Sequence, residues 1–432
     1  MKQLIQRVTI GLVTATLLLC AKEQILTIDK AIEFSLEHSP DIDISRFDFE
    51  GAKQRTKFQK GYYLPRLDLN AAAGESGLEY KNQDTLNGNA LLGNVSASQL
   101  LYDFGKTTGR ISAAQEEAKA YEAQMNQFIS SKILQIKIRF YDVLKIKSII
   151  SVNLKNIELQ KGQLKRAKRY YESGIKTIID VTDAEVGLTQ AKLELNNSEY
   201  ELKSRIALLE QAMGYTPYNG HYSLSENKRD LPYVSKRLPR VDTSIPQLEG
   251  FAYEHRYELQ SSQYLAQSAK HIVESEKGGY LPTLALAGDY QAQDVESDFA
   301  TLTPEKQWQA GVTLNWNLYS GNQTDASVQE AKISSLQAAS RIEDVRIQIK
   351  QQVVDSSLFV LRTKDGVILS ESIAKASEQK FIQAQKRYEN DLSDYIELQE
   401  ARQGYVSALG DLVTSYYNYY IAIARLDFAI GR

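Results

Sequence analysis

One stretch of the chain alternates between apolar and polar residues with a strict period of two. The apolar positions run from Trp308 to Leu318 and the polar positions from Gln307 to Asn317. This alternation predicts a β-strand with one apolar face and one wet face. The eleven residues from 308 to 318 suit a tilted strand that crosses a bilayer. Trp308 and Trp316, the only two tryptophans, lie on the apolar face towards its ends, where an interfacial aromatic girdle belongs.

Three further stretches show the same period more weakly and are predicted as strands, at 67–73, 91–101 and 281–293. A soluble β-domain, half-buried on one face, is the alternative interpretation. The membrane interpretation is favoured by the tryptophan placement and by the lack of extra strands for a sandwich. Four strands cannot close a barrel, because the smallest known barrels have about eight. Strands from several chains must therefore combine, and three chains with four strands each would give twelve.

Two stretches, at about 106–213 and 322–430, contain no proline and are rich in Ala, Leu, Gln, Glu and Lys. Proline is excluded from helix interiors by its missing N–H, and the enriched residues are good helix formers. Both stretches are therefore predicted as very long helices. The part from 106 to 171 would reach about 100 Å at a rise of about 1.5 Å per residue. A helix of that length is expected to pack against others as a coiled coil.

Each long helix is predicted to break at a comparable place and to turn back as a hairpin. In the first, Gly174 can take the left-handed conformation that ends a helix. In the second, Asn390 is the next-best residue for that conformation. The returning helices are predicted over about 177–213 and 394–430. The two hairpins should therefore have their tips near residues 174 and 391.

The whole pattern occurs twice, at an offset of 217 residues. The segment GYYLPRLDL that begins at Gly61 returns as GGYLPTLAL at Gly278, with six of nine positions identical. The same offset relates Tyr171 to Tyr388. A period this long indicates a duplicated architecture and not a solenoid, whose periods are several-fold shorter. The predicted organisation is a signal peptide over 1–21, a first repeat over 22–214, an irregular linking segment over 215–244 and a second repeat over 245–432.

The N-terminus and the composition narrow the class of protein. Lys2 and Arg7 precede a short apolar stretch at 8–20, which has the charge and length of a secretory signal. Cys20, the only cysteine, lies at the end of that signal, and lipidation of Cys20 is the alternative to ordinary cleavage after Ala21. Cleavage is favoured because Leu19 is not the small residue that a lipidation site places before its cysteine. The net charge of −3 gives no basic surface for nucleic acid.

These features together resemble the TolC family of outer-membrane efflux proteins over the whole mature chain. The resemblance rests on motifs that occur in order, in both halves: IDKAI from Ile28, Ser39-Pro40, the Tyr-Leu-Pro entries at Tyr63 and Tyr280, QLLYDFG from Gln99, NLYSG from Asn317, YESG from Tyr171 and DVTDAE from Asp180. It implies an α+β membrane protein in which three chains form a 12-stranded β-barrel in the outer membrane and an α-helical barrel in the periplasm. It also implies a periplasmic adaptor (a membrane fusion protein) and an inner-membrane pump of the RND, ABC or MFS type.

Four carboxylates follow the two predicted hairpin tips. Asp180 and Asp183 lie three residues apart, on one helix face, and Glu397 and Glu400 are their equivalents in the second repeat. In three chains they would place twelve carboxylates around the mouth of the helical barrel, where acidic rings favour cations. The alternative is that these are ordinary solvated side chains. The match to the acidic constriction of the family favours the ring.

The resemblance also implies a latch that holds the tips closed. Tyr388 and Asp180 match positions that take part in such latches. Ser393 stands where family members can carry an arginine, and either Lys176 or Arg387 could replace that charge. The hypothesis is that Asp180, Tyr388, Glu397 and Glu400 control the gate.

The sequence carries no catalytic motif. The four histidines lack metal-ligand spacing, and no phosphate-binding glycine loop or nucleophile elbow is present. We therefore expect no enzyme activity, no cofactor and no metal. The predicted function is a trimeric outer-membrane exit duct for efflux or type I secretion of small molecules or proteins. The alternative is a periplasmic coiled-coil adaptor or scaffold without a pore, which would normally carry a single hairpin.

Overall fold

The computed structural model describes residues 24–78, 86–217, 222–224, 234–296 and 305–432. The predicted signal peptide over 1–21, with Cys20, lies outside the described residues, and so does part of the linking segment. In chain order the elements are β1 (Gln24–Leu26), α1 (Ile28–His38), α2 (Pro40–Gly61), β2 (Arg66–Leu78), β3 (Leu86–Tyr102), α3 (Lys106–Glu172), α4 (Ile178–Met213), β4 (Tyr222–Leu224), α5 (Ile245–His255), α6 (Tyr257–Lys277), β5 (Thr283–Glu296), β6 (Lys306–Asn315), α7 (Gln323–Glu389) and α8 (Tyr395–Ile430).

The duplication holds to the residue in the long helices. α3 and α7 each contain 67 residues, and α4 and α8 each contain 36. Both hairpins end on a glycine in the left-handed conformation, Gly214 in the first repeat and Gly431 in the second. A side chain at either position would strike the backbone at the end of the short helix that precedes α2 or α6. Glycine is therefore required both for the left-handed conformation and for this close approach.

The helices form a wall four columns wide. α3 is flanked by α2 and α6 near the sheet and by α4 and α8 towards the tips, and α7 packs against α6 and then α8. The columns are therefore α2 with α4, then α3, then α6 with α8, then α7. None of the described helices is long and apolar enough to cross a membrane.

The described part of the linking segment runs across one face of this wall. The backbone N–H of Ser235 donates to Glu371 at 2.9 Å, and Tyr419 donates its hydroxyl to the carbonyl of Pro239 at 2.6 Å. Ser357 on α7 donates to the carbonyl of Thr243 at 3.0 Å. We call residues 234–244 the strap, because these bonds tie it to both α7 and α8.

Four of the six described strands form one antiparallel sheet, in the order β2-β3-β5-β6. Its register lines up side chains of one kind across all four strands. One row is Asp68, Ser96, Asp289 and Gln309, and the next, on the opposite face, is Leu69, Val95, Tyr290 and Trp308. Every residue of β6 is exposed, so neither face of that strand is covered within one chain.

The last predicted strand is shorter than the pattern indicated. β6 ends at Asn315, which pairs with Thr283, the first residue of β5. Pro282 precedes that residue and has no N–H to extend the ladder. Trp316 therefore lies beyond the strand, and its indole N–H donates to the carbonyl of Tyr280 at 3.1 Å.

Candidate functional site at the hairpin tips

The two hairpin tips lie side by side in one chain. The ammonium of Lys176, in the first tip, forms an ion pair with Asp391 in the second. The same ammonium sits 5.4 Å from the centroid of the Tyr388 ring. Of the two cations that sequence reasoning offered in place of an arginine at 393, Lys176 is the one that joins the hairpins.

The left-handed residue of the second tip is Asp391 and not Asn390. Asp391 has φ 58° and Gly174, its equivalent, has φ 72°, whereas Asn390 has φ −97°. The expectation that Asn390 would take this conformation was wrong by one residue. Aspartate tolerates the left-handed region because its short side chain can hydrogen-bond locally, and here the carboxylate is held by Lys176.

Asp180 and Glu397 are engaged within their own hairpins. The Asp180 carboxylate accepts from the backbone N–H of Thr177 at 3.1 Å and from its hydroxyl at 2.9 Å, which closes a capping box at the start of α4. Glu397 lies 3.5 Å from the Nε of Arg387, across the second tip. The Asp180 contacts stiffen the start of α4, since a helix N-cap contributes about 1 kcal/mol, whereas the Arg387–Glu397 pair links the end of α7 to the start of α8.

Asp183 and Glu400 face a common cleft of about 540 Å³ between α4 and α8. α3 forms its floor with Asn156 and Gln160. Within one chain the four predicted carboxylates therefore divide into two roles, because one pair is locally bonded and the other pair lines this cleft. A ring around a mouth is not contained in a single chain.

Arg402 is a functional candidate that sequence reasoning missed. It lines the same cleft, is only 6% exposed and donates to Gln399 at 2.6 Å. Burial lowers the pKa of its guanidinium. The signal was present in the spacing: Leu398, Ala401 and Tyr405 mark a buried stripe on α8, and Arg402 adjoins it.

The remaining latch candidates differ in what they contact. Tyr388 is 1% exposed, and burial, with the nearby charge of Asp180, raises the pKa of its hydroxyl to about 12. In the described part of the chain its hydroxyl has no hydrogen-bond partner, and neither has that of Ser393. Arg387 donates to the carbonyl of Leu392 at 3.3 Å, so it closes its own tip.

Metal binding has no support at the tips or elsewhere in the described ranges. Among those residues, no group of three His, Cys, Asp or Glu side chains is arranged to hold a metal ion.

Comparison with known proteins gives a consistent result. Residues 31–215 and 251–432 match the family described as outer membrane efflux protein. Outer membrane efflux protein BepC of Brucella suis is 20% identical over 330 residues, which cover 76% of this chain and 68% of BepC. Outer membrane protein TolC of Vibrio cholerae is 21% identical over 382 residues, covering 85% and 82% of the two chains. The solved outer-membrane channel OprN is similar in fold, with a TM-score of 0.79, 17% identity and coverage of 94% and 89%.

Proposed function

The chain belongs to the outer membrane efflux protein family, and we propose that three copies of it assemble into one continuous exit duct. It is an outer-membrane protein whose long helices lie in the periplasm. In the proposed trimer each copy supplies four strands and four helical columns to a shared wall. The duct would therefore contain twelve strands above and twelve columns below.

The observation that carries this proposal is the open sheet. β2 and β6 are its outer strands, and each has a neighbour on one side only. An unpaired edge in a membrane is costly, because nothing there can satisfy its backbone groups. Since β2 and β6 run in opposite directions, β6 of one copy can pair with β2 of the next, and the third pairing closes an antiparallel barrel.

The two faces of the sheet fit that arrangement. The apolar row that contains Leu69 and Trp308 would face lipid, and the polar row that contains Asp68 and Gln309 would face the lumen. Trp308 is 75% exposed in the single chain, which suits an interfacial anchor. Trp316 lies past the other end of the strand and would mark the second interface.

The outer helical columns also need a partner. Large apolar side chains remain exposed along α4 and α7, among them Ile179, Leu193, Leu336 and Ile347. Patches of this kind mark interaction surfaces. In the proposed ring, α7 of one copy packs against α2 and α4 of the next copy. This packing covers the exposed apolar side chains of α4 and α7.

The hairpin tips form the proposed gate. Asp180, Asp183, Glu397 and Glu400 would encircle the periplasmic mouth in three copies, and the Lys176–Asp391 pair would hold each chain's hairpins together. Lys176 replaces the arginine that Ser393 does not provide, so the cation comes from the first hairpin and its partner from the second. Opening requires these pairs to separate.

The duct is proposed to work with a periplasmic adaptor and an inner-membrane pump of the RND, ABC or MFS type. It would release small molecules or proteins, in efflux or type I secretion, and would have no enzyme activity. The alternative of a coiled-coil adaptor or scaffold without a pore is disfavoured by the four exposed strands, which such a protein would not need.

Conductance in planar bilayers tests the duct and its acidic mouth together. We expect discrete conducting events that favour cations. Glu397→Ala combined with Glu400→Ala should lower the cation-to-anion permeability ratio several-fold, because carboxylate rings set the sign of the field in a pore. The matched control removes two exposed carboxylates far from the tip, Glu330→Ala with Asp365→Ala, and should change little. Absence of conductance would refute the duct, whereas unchanged selectivity in the tip variant would refute only the ring.

A further inference from the structure

A second cleft of about 450 Å³ lies well away from the tips, where α8 passes between α3 and α7. Its most unusual feature is a phenyl ring shared by two cations. The guanidinium carbons of Arg362 and Arg425 lie 5.0 Å and 5.3 Å from the centroid of the Phe359 ring. Two like charges are therefore gathered around one small apolar surface, an arrangement that an anion would stabilise.

Neither guanidinium is neutralised by a residue that the structure describes. In the part of the sequence that the structure describes, Arg362 and Arg425 form no ion pair, and both are exposed at the cleft. The third cation of the cleft, Lys145, is different because it donates to Asp142 at 2.7 Å. The cleft thus has two uncommitted positive charges, although the whole chain has a net charge of −3.

The duplication explains how the surplus charge arises. At the offset of 217 residues, Asp142 on α3 corresponds to Phe359 on α7, and Lys145 corresponds to Arg362. The helical turn of α3 that contains Asp142 and Lys145 and the helical turn of α7 that contains Phe359 and Arg362 line the same cleft, with α8 between them. On α3, Lys145 has the carboxylate of Asp142 three residues away. On α7, the phenyl ring of Phe359 stands at the position equivalent to that carboxylate. Replacing the counterion by a phenyl ring leaves Arg362 free and gives a ligand a flat apolar platform.

α8 supplies the rest of the cleft. Arg425 stands where the first repeat has Leu208, so its charge is also specific to the second repeat. Ile421 lines the cleft from α8 and Ile138 lines it from α3, and Asn418 adds an amide that can donate a hydrogen bond. Cations, an aromatic face and aliphatic walls together suit a molecule with a flat apolar body and an anionic group.

The cleft opens away from the strap. Phe359 is two residues from Ser357, which binds the strap, and Ile421 is two residues from Tyr419, which also binds it. Two residues turn an α-helix by about 200°, so the cleft lies on the opposite side of the wall. In a closed ring the strap must lie outside, since inside it would obstruct the duct. The cleft would then face the lumen.

We propose that this cleft binds an amphipathic aromatic anion, such as an aromatic carboxylate or sulfonate. Its acidic group pairs with Arg362 and Arg425, and its ring system lies against Phe359. Because the cleft is already formed within a single chain, binding can be measured apart from conduction, and a duct that conducts but does not bind would separate the two proposals.

Binding of fluorescein to the purified full chain in detergent, followed by fluorescence anisotropy, tests the site. Fluorescein has a flat xanthene ring system and is a dianion at mildly alkaline pH, and rhodamine 110 has the same ring skeleton without the dianionic charge. We expect saturable binding of fluorescein and much weaker binding of rhodamine 110. Arg362→Gln with Arg425→Gln should weaken fluorescein binding by about tenfold or more, because charge-assisted hydrogen bonds are the strong ones.

Two further variants make the test specific. Phe359→Asp recreates the arrangement of α3, supplies Arg362 with a counterion and should abolish binding. Lys332→Gln removes one exposed cation elsewhere on α7 and should leave binding within about twofold of the original value. The proposal is overturned if the double arginine variant binds as well as the unaltered chain, if Lys332→Gln weakens binding as much as that variant does, or if both dyes bind equally.

Discussion

The two hairpin tips have the same backbone and different chemistry. Their helices end and restart at equivalent residues, Glu172 and Ile178 in the first repeat and Glu389 and Tyr395 in the second. Both tips contain one residue with positive φ at equivalent positions. In the first tip that residue is Gly174, where an added side chain would meet nothing within 4 Å, whereas in the second it is Asp391, which carries a charge.

The comparison shows how a duplicated unit becomes complementary to its own copy. The first tip places a cation at Lys176, and the second has Ser393 at the equivalent position. The second tip places an anion at Asp391, where the first has Gly174. Two substitutions on one ancestral turn therefore produce an ion pair between the repeats, with no change in the fold that carries them.

Breaking that complementarity should have the largest effect. Lys176→Glu or Asp391→Lys should each favour opening of the tips, and the combination Lys176→Glu with Asp391→Lys should restore closure. A surface pair contributes up to about 1 kcal/mol, so three copies that open together could shift the equilibrium by about two orders of magnitude. Open probability in planar bilayers measures this.

The control for charge reversal lies within one hairpin. Lys168 and Glu185 form a pair at 3.1 Å between α3 and α4, with both side chains about half exposed. Lys168→Glu should leave the open probability unchanged, because that pair does not join the two hairpins. If it opened the tips as much as Lys176→Glu, or if the double swap failed to restore closure, the Lys176–Asp391 latch would be wrong.

The smallest effect is expected from Tyr388→Phe. The tyrosine hydroxyl is buried without a partner among the described residues, so its removal should change stability little at neutral pH. The pKa of Tyr388 is raised from 10.0 to about 12, so the folded tip favours the neutral form, and the stabilisation is lost as the pH rises through that interval. The pKa of Lys176 is raised as well, by its hydrogen bond to Asp391. The stabilisation of the folded tip by charged Lys176 is therefore fully present below pH 10.5 and is lost as the pH rises above that value.

Thermal melting between about pH 9 and pH 12 checks this prediction, because the loss runs from the unperturbed pKa near 10 up to the raised pKa of about 12. The unaltered chain should lose stability as the pH rises, and Tyr388→Phe should lose less. An equal loss in both proteins would show that Tyr388 is not the group that titrates. A large increase in open probability of Tyr388→Phe at neutral pH would show that its hydroxyl has a partner in the assembled gate.

The long helices could be predicted almost to the residue because proline exclusion and helix-forming composition act locally along the chain, and the second repeat shows the same boundaries again. The end of β6 could not, because it depends on pairing with β5, which begins only at Thr283, after Pro282. The Lys176–Asp391 pair was also beyond sequence reasoning. Its partners are 215 residues apart, and their meeting depends on how two hairpins pack. Asp391 was missed as the left-handed residue because propensity favours asparagine, whereas the structure places Asp391 there with its carboxylate bonded to Lys176.

Three copies are proposed to close one duct through the open edges of their sheets. The most direct test is the mass of the complex extracted from outer membranes in mild detergent, measured by native mass spectrometry. We expect a species of three mature chains that separates into single chains on heating. A single chain that stays soluble without detergent, with no larger species, would contradict it.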